Sequence, residues 1–410
     1  MQDYQLYEQI LGLQAPWRVE AVRLAVEAGE IAVRVVCTED TWGCPHCQQR
    51  MHIHEWDQRR WRHLDSCQFQ TYIEAAIPRV RCPEHGTITV QVPWAEPYGR
   101  FTKLFERLAI DLLRECSVSG AMRLLRISWD EADGIKQRAV QRGLARQTIR
   151  PVQRLGVDEK SAGRGQNYVT VVARLEPGQP ATVEYVGDGR TQESLDAYWQ
   201  RLPSELRAGV EAVAMDLWAP YYQSTVAHVP AAEGKIVHDP YHLGRMLSDA
   251  VDTVRKSEHR RLAAEGDQRL AGTKHLWLYG WENLPPVHQE RFDELRGQRL
   301  KTSRAWAIKE MFRDFWTSPT VEEGRAFFAR WYSWAIRSRL EPIKRVARSF
   351  KEHLPNVLTY FTHRITNAAL EGLNNRIAGL VKKAFGYRNR ERFKTDILFH
   401  LGGLDLYPSQ

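Results

Sequence analysis

Two short metal-binding patterns constrain the fold of this chain more than any other feature of its sequence. One is C-P-H-C at residues 44–47 and the other is C-P-E-H at residues 82–85, so both patterns separate two candidate ligands by two residues. Zinc prefers four tetrahedral sulfur or nitrogen ligands, and two matched knuckles brought together by strands supply them without an open position. We therefore predict a structural zinc site, with the ligands Cys44, Cys47, Cys82 and His85.

The residues around the two knuckles are typical of short strands. Residues 30–36 alternate between apolar and polar side chains, whereas residues 68–78 and 87–92 are rich in β-branched and aromatic side chains. These patterns predict an N-terminal segment over 1–36 and a small zinc-binding ribbon over 37–95.

Other side chains compete for the metal. Cys37 is the main alternative ligand because it lies close to Cys44, and Cys67 and Cys116 are interpreted as buried apolar residues. Six cysteines in 410 residues argue against a secreted disulfide framework. The lesser alternatives for zinc are His46, His52 and His54.

Residues 96–148 have a helical pattern that resembles a helix-turn-helix domain. Residues 117–125 form the first helix of this motif, Ile127 and Ser128 supply the turn and the N-cap, and the recognition helix begins at Trp129. Side chains suited to phosphates and base edges follow on the recognition helix. They are Lys136, Gln137, Arg138, Gln141 and Arg142.

The next part of the chain predicts an α/β domain with a mixed sheet. The strands are expected at 153–158, 168–175, 181–186, 210–216 and 235–239, with a helix at 194–202. Asp158 and Asp216 each end a buried apolar strand, where an unpaired carboxylate is costly and a divalent cation would compensate. In an RNase H-like sheet the ends of the first and fourth strands lie side by side, so these two residues would share metal ions.

A third acid is expected on a later helix. Asn367, Glu371 and Asn374 are spaced so that they share one helix face, which is polar where a packed helix would be apolar. Two metal ions held by three such acids would activate an attacking oxygen and stabilise a leaving oxygen at a phosphodiester.

Several blocks of the chain resemble a known family of proteins. The blocks are 156–161, 214–221, 237–243, 340–344 and 367–392. In this order they are similar to the ISL-three family of bacterial insertion-sequence transposases, and the resemblance extends from the zinc ribbon to residues 398–404. His85 departs from the pattern, because many relatives have a second cysteine there, but histidine still permits zinc binding.

The resemblance implies a DDE transposase with a multidomain α/β fold. Its RNase H-like mixed-sheet catalytic core would be interrupted by an all-helical insertion and preceded by the zinc ribbon and the helix-turn-helix. Asp158, Asp216 and Glu371 would be the catalytic acids and would bind Mg²⁺ or Mn²⁺. The first part of the core is expected over 149–254, the Trp-rich helical insertion over 255–362, and the final core helix with a basic C-terminal segment over 363–410.

Basic residues are concentrated near Glu371. Residues 372–394 contain seven lysines or arginines and one acid, which favours a phosphate track. A second basic stretch, at 337–351, is as consistent with a solvated helix face. Lys160 could neutralise the scissile phosphate. Trp218 and Tyr387 could stack on an extruded base, although packing is at least as consistent with both residues. The other predicted DNA-binding residues are Asn367, Asn374, Arg376, Lys382, Lys383, Tyr387, Arg388 and Arg390.

The sequence therefore predicts an enzyme that binds the terminal inverted repeats of an insertion sequence, cleaves double-stranded DNA and joins it to a target. A homodimer is expected, because two ends must be held together. We also expect a cytoplasmic, nucleoid-associated location and no membrane segment. The net charge of +8 agrees with a polyanionic partner. The alternatives are a non-catalytic DNA-binding regulator derived from a transposase and a structure-specific nuclease with the same core.

Overall fold

The chain divides into two compact units. The structure is a computed structural model that describes residues 3–161, 168–365 and 368–409. One unit comprises Met1–Gln147 with Leu404–Gln410, and the other comprises Thr148–Gly403. Within these described ranges, none of the helices combines the length and apolarity that crossing a bilayer requires.

The first unit begins with a mixed sheet that holds the metal knuckles. Its elements are α1 (Asp3–Ile10), β1 (Trp17–Ala25), β2 (Glu30–Cys37), β3 (Thr41–Gly43), β4 (Arg50–Arg62), β5 (Gln70–Cys82) and β6 (Gly86–Thr89). The strand order is β1-β2-β5-β4-β3, and β6 pairs with the end of β5. Trp17, Trp61 and Trp94 are buried in its core, where the ring of Trp94 meets the other two edge-on.

The sheet is continuous across the domain boundary that the sequence predicts at residue 36. β2 pairs in parallel with β5, from Glu30 opposite Gln70 to Val35 opposite Ala75, so the N-terminal strands and the ribbon share one sheet. The sequence analysis also missed β1 and β4. β4 was missed because most of its side chains are exposed or half-buried, so that its sequence lacks a strong apolar alternation.

Three helices complete the first unit, namely α2 (Lys103–Glu115), α3 (Val118–Leu125) and α4 (Trp129–Arg146). Arg126, with a left-handed backbone at φ 56°, ends α3. Ser128 then caps α4, because its Oγ accepts from the Glu131 backbone and the Glu131 carboxylate accepts from the Ser128 backbone. The predicted turn and N-cap of the helix-turn-helix are confirmed.

The second unit combines a sheet with two groups of helices. Its first elements are β7 (Arg154–Ser161), β8 (Tyr168–Arg174), β9 (Thr182–Asp188), α5 (Gln192–Arg201), α6 (Ser204–Ala208), β10 (Ala212–Met215), α7 (Ala219–His228) and β11 (Ile236–His238). The later elements are α8 (Pro240–Ala264), α9 (Lys274–Leu278), α10 (Pro286–Arg296), α11 (Lys301–Arg313), α12 (Val321–Arg337), α13 (Glu341–Glu352), α14 (Leu354–His363), α15 (Ala368–Lys383) and α16 (Arg390–Leu401).

The sheet of the second unit is mixed, as the sequence predicts. Its strand order is β11-β10-β7-β8-β9. β8 is antiparallel to both β7 and β9, whereas β10 is parallel to both β7 and β11. One apolar cluster joins the sheet to α5 and α7, and another joins β8 and β9 to α15 and α16. The helices therefore position side chains at the end of the central strands.

The helices α8 to α14 share a large apolar core of their own. Trp277 and Trp331 are fully buried in it, and Phe312 packs against Trp331 with ring centroids 4.6 Å apart. The aromatic richness of this part of the sequence is thus mainly packing, although Trp281 and Trp334 are exposed at the surface.

Candidate functional site

Asp158 and Asp216 meet where β7 and β10 stop pairing. The last parallel pair of these strands is Val157 with Met215, and each aspartate is the next residue along the chain. Asp158 does not end β7, because that strand continues to Ser161 along β8. Asp158, Glu159 and Asp216 each place a carboxylate oxygen within 4.8 Å of the others, so the three acids form one potential metal-binding group.

The acids of this group repel one another in a partly buried setting. Asp158 is 7% exposed, and this burial raises its pKa; Lys160, with Nζ 3.5 Å from Oδ2, opposes the shift, and the Asp216 charge adds to it. Burial likewise raises the pKa of Glu159, and the charges of Asp158 and Asp216 add to that shift. A divalent cation would relieve this repulsion, which is the chemistry that such a donor set fits.

A second potential metal-binding group shares Asp216. It consists of Asp216, Asp239 and His242, again with ligand atoms within 4.8 Å of one another. His242 Nδ1 lies 2.8 Å from Asp216 Oδ2, and His242 Nε2 lies 3.9 Å from Asp239 Oδ2. Burial lowers the pKa of His242, but its bond to Asp216 and the nearby carboxylates outweigh burial, so the pKa is raised. Among the described residues, the buried Oδ1 of Asp216 has no hydrogen-bond partner.

Helix α15 forms the opposite wall of the site. Asn374 donates from Nδ2 to Oδ2 of Asp158. Glu371 lines the same 820 Å³ cavity as Asp158, although within the described part of the chain its carboxylate belongs to neither metal-binding group. Asn367, the third residue predicted for this helix face, lies outside the described residues.

Two cavity residues were missed by the sequence analysis. Glu159 follows Asp158, and neighbouring residues of a strand point to opposite faces, so the alternation gave no reason to group them. Arg245, on α8, lines the cavity with Asp239 and His242. Its position one helical turn after His242 was a usable signal, because residues three apart share a helix face.

The predicted basic residues after Glu371 are mostly exposed. Lys382 lines the cavity, and Arg390 lies 3.6 Å from Asp188. Tyr387 packs against Phe393 at 4.9 Å and donates to Asp396 Oδ2 at 2.7 Å. Its ring is therefore half-buried against the core, which is the packing that the sequence also allowed. The exposed members of the set are Arg376, Lys382, Lys383, Arg388 and Arg390.

The two knuckles of the first unit come together as the sequence predicts. Cys44, Cys47, Cys82 and His85 place their ligand atoms within 4.8 Å of one another. Cys47 Sγ is 3.6 Å from Cys82 Sγ, and Cys82 Sγ is 3.4 Å from His85 Nδ1. The alternative ligand Cys37 lies outside this group and packs against the apolar core of the sheet. Three sulfurs and one imidazole nitrogen suit zinc.

Most of the cations predicted to contact DNA from the recognition helix α4 are buried or paired within the first unit. Lys136 is only 5% exposed. Arg138 pairs with the buried Glu106, and Arg142, whose side chain is 8% exposed, pairs with Glu106 at 3.0 Å and with Glu96 at 2.8 Å. Arg138 and Arg142 thus hold α4 against Glu106 of α2, whereas DNA contact by the three cations stays a prediction. The exposed predicted contacts are Gln137 and Gln141.

Comparison with known proteins identifies the family. The model of an ISL3 transposase domain of the DDE type matches residues 155–397, which is more than half of the chain. A model described as the zinc-finger of transposase IS204/IS1001/IS1096/IS1165 matches residues 40–85, and the helix-turn-helix domain of transposase family ISL3 matches residues 90–140. These matches follow the order of the two knuckles, helices α2 to α4 and the acidic site.

Whole-length relatives agree with the domain matches. The chain is 25% identical over 399 residues to the transposase for insertion sequence element IS1001 of Bordetella parapertussis, covering 96% of this chain and 97% of that protein. It is 27% identical over 376 residues to the transposase for insertion sequence element IS1557 of Mycobacterium tuberculosis, covering 84% of this chain and 82% of that protein. With a zinc-finger domain, a helix-turn-helix and a DDE domain in this order, the chain belongs to the ISL3 family of transposases.

Proposed function

We propose that this transposase cuts and joins DNA at the ends of an insertion sequence, with Asp158, Asp216 and Glu371 as its catalytic acids. The observation that carries the proposal is the meeting of Asp158 and Asp216 at the point where β7 and β10 separate. Two partly buried carboxylates in contact are costly unless a cation compensates them. Glu371 supports the set, because it lines the same cavity.

The topology of the second unit favours an RNase H-like core. Three antiparallel strands followed by two parallel strands, in the order β11-β10-β7-β8-β9, place the first and fourth strands of the unit side by side. The helices α8 to α14 lie between β11 and α15 in sequence and have their own core. We interpret most of these helices as an insertion between the second and third catalytic acids.

Magnesium or manganese ions held by the three acids would supply activation of the attacking oxygen and stabilisation of the leaving oxygen. The protein's own residues orient the acids. Asn374 holds Asp158 by its amide, and His242 holds Asp216 by its imidazole. Lys160, next to Asp158, is placed to neutralise a phosphate that enters the cavity. Asp239 joins Asp216 and His242 in the second group and would serve as a further ligand.

The first unit would recognise the DNA ends. A zinc ion at Cys44, Cys47, Cys82 and His85 would be structural, because four protein ligands leave no open position. The exposed amides of Gln137 and Gln141 on α4 are suited to base edges. Two chains are expected to act together on a pair of ends.

The test compares Asp158→Asn with Asp249→Asn, which removes a charge from an exposed position on α8 and serves as the matched control. DNA flanking the reading frame on both sides is incubated with each chain, a supercoiled target and Mg²⁺. The wild-type chain and Asp249→Asn should yield cut and joined products, whereas Asp158→Asn should yield neither. Calorimetric titration with Mn²⁺ should show weakened binding only in Asp158→Asn.

Other outcomes separate the alternatives. Cutting without joining by the wild-type chain would favour a nuclease, and DNA retention without chemistry would favour a regulator. Persistent cleavage by Asp158→Asn would remove this residue from the catalytic set.

A further inference from the structure

We infer that Phe385 is a DNA-stacking residue, which inserts its ring against a base next to the catalytic cavity. The inference rests on the proposed action on DNA and adds to it a residue that contacts the bases. The side chain of Phe385 is 100% exposed, more than any other large apolar side chain that the structure describes. It lies in the connection between α15 and α16, three residues after Lys382, which lines the cavity.

The backbone around Phe385 is fixed, so that its exposure is not the product of a loose loop. Gly386 donates from its backbone to the carbonyl of Val381 at 2.9 Å, and Phe385 donates to that of Lys382 at 3.2 Å. These two bonds form the Schellman motif that commonly ends a helix. Asn389 then caps α16, because its side chain accepts from the backbones of Glu391 and Arg392.

Phe385 is an unfavourable residue for this position in the folded chain alone. The motif requires a left-handed residue at its turn, and Phe385 adopts φ 54°. Glycine is usual there, since a bulky side chain is strained at positive φ. Because the ring is exposed, it also contributes no free energy of burial to the stability of the fold. Backbone strain together with an unburied ring is typical of a residue kept for a ligand, not for stability.

The surroundings of Phe385 indicate which ligand the ring meets. Lys382, Lys383 and Arg388 are exposed within three residues of it in sequence. Cations flanking an exposed aromatic ring fit a nucleic acid, because the cations contact phosphates while the ring stacks on a base or enters a base step. Tyr387, one of two aromatic residues that the sequence suggested for stacking, is instead half-buried against the core.

The test uses Phe385→Gly, because glycine suits the left-handed turn. Short duplexes from the DNA flanking the reading frame carry 2-aminopurine at successive adenines. Wild-type chain should raise the fluorescence of one or a few probes on binding, before Mg²⁺ is added, and Phe385→Gly should abolish the rise. Joining should fall by about 10-fold, the range expected for loss of one aromatic–base stack. Phe385→Trp should restore both signals.

A control and two contrary outcomes keep the inference falsifiable. Tyr98→Gly removes another exposed aromatic residue of positive φ and should leave the wild-type probe response intact. A lower melting temperature for Phe385→Gly than for wild type would assign Phe385 a structural role and overturn the inference. So would loss of self-association in Phe385→Gly with an unchanged probe response, which would place the ring at a protein interface.

The proposed function and the inference fail separately. If the wild-type chain cuts and joins DNA but no rise in 2-aminopurine fluorescence depends on Phe385, only the stacking inference is refuted. If the rise in 2-aminopurine fluorescence depends on Phe385 but no DNA is cut, the catalytic proposal is refuted and the stacking inference stands.

Discussion

Asn374 on α15 donates a hydrogen bond to Asp158 on β7, although 216 residues separate them in sequence. The same helix packs Leu373 and Ile377 against the apolar face of β8 and β9. Among the described residues, the buried Oδ1 of Asn374 has no partner. The Asn374 side chain is thus held through its Nδ2 donor. This hydrogen bond, together with the apolar packing, joins α15 to the acidic site.

Loss of that contact should weaken metal binding without unfolding the chain. In Asn374→Ala the Asp158 carboxylate loses the group that orients it, and removal of such outer partners typically costs about 10-fold to 100-fold in metal affinity. We expect a rise of about 10-fold in the Mn²⁺ dissociation constant by calorimetry, with a parallel loss of DNA cleavage at limiting metal. Gln200→Ala, which removes an exposed amide on α5 away from the cavity, is the control. Equal metal affinity in both variants would contradict a positioning role for Asn374.

The helix-turn-helix should depend on Glu106 for stability, not for DNA contact. Glu106 is 2% exposed and pairs with both Arg138 and Arg142. Removing one partner of a buried ionic cluster leaves uncompensated charge and costs about 3 kcal/mol or more. Glu106→Gln should therefore lower the free energy of unfolding by that order in urea denaturation. A wild-type urea midpoint for Glu106→Gln would show that the arginines are satisfied elsewhere.

Gln141, with its exposed amide, should contribute to DNA binding and not to stability. Gln141→Ala should leave the urea midpoint unchanged, since the side chain is exposed on α4. It should weaken binding to the DNA that flanks the reading frame, measured by fluorescence anisotropy, because a side chain in the groove reads base edges. Wild-type affinity would place DNA recognition on another face of the unit.

Local chemistry made the helix-turn-helix and the zinc ligands predictable. Ser128 followed by Glu131 is a capping box, and the knuckle spacing brings paired ligands to one metal. β4 was not predictable from periodicity, because its pairing with β5 leaves most of its side chains half-exposed. The ion pairs of Arg138 and Arg142 were missed for a related reason, since only the tertiary contact with Glu106 distinguishes a paired cation from a solvated one.

The acidic site was predictable in part. Asp158 and Asp216 each follow an apolar run, and the parallel pairing of β7 with β10 brings the ends of these two runs together. Their contact with Asn374 depends on how α15 packs on the sheet, which residue spacing does not determine. That Tyr387 packs against the core while Phe385 is exposed likewise depends on the motif that ends α15 and on which ring the core accepts.

Stability of the first unit should depend on pH through His63. Its ring is 2% exposed, and burial together with the charge of Arg62 lowers the pKa of His63 from 6.5 to about 4. Below the ordinary pKa the unfolded chain binds a proton that the folded chain does not, so stability falls as pH drops towards 4. At about 1.4 kcal/mol per pKa unit, the loss is on the order of 3 kcal/mol.

His63→Gln isolates this effect, because glutamine does not titrate and its amide can still bond to Thr102, which His63 contacts at 2.9 Å. Any loss of metal at low pH affects both chains, so the difference between them reports His63. Urea denaturation at successive pH values should show the free energy of unfolding of the wild-type chain falling relative to that of His63→Gln as pH falls below about 6.5. A constant difference would mean that folding does not change the pKa of His63.

Zinc content should distinguish the four clustered ligands from Cys37. Cys82→Ser removes one sulfur of the group, whereas Cys37→Ser changes a cysteine outside it. Since a structural zinc site contributes folding free energy, Cys82→Ser should lose its zinc by atomic emission and melt at a lower temperature. Cys37→Ser should keep one zinc ion per chain. If Cys37→Ser loses the metal instead, Cys37 is a ligand and one of the four assigned ligands is wrong.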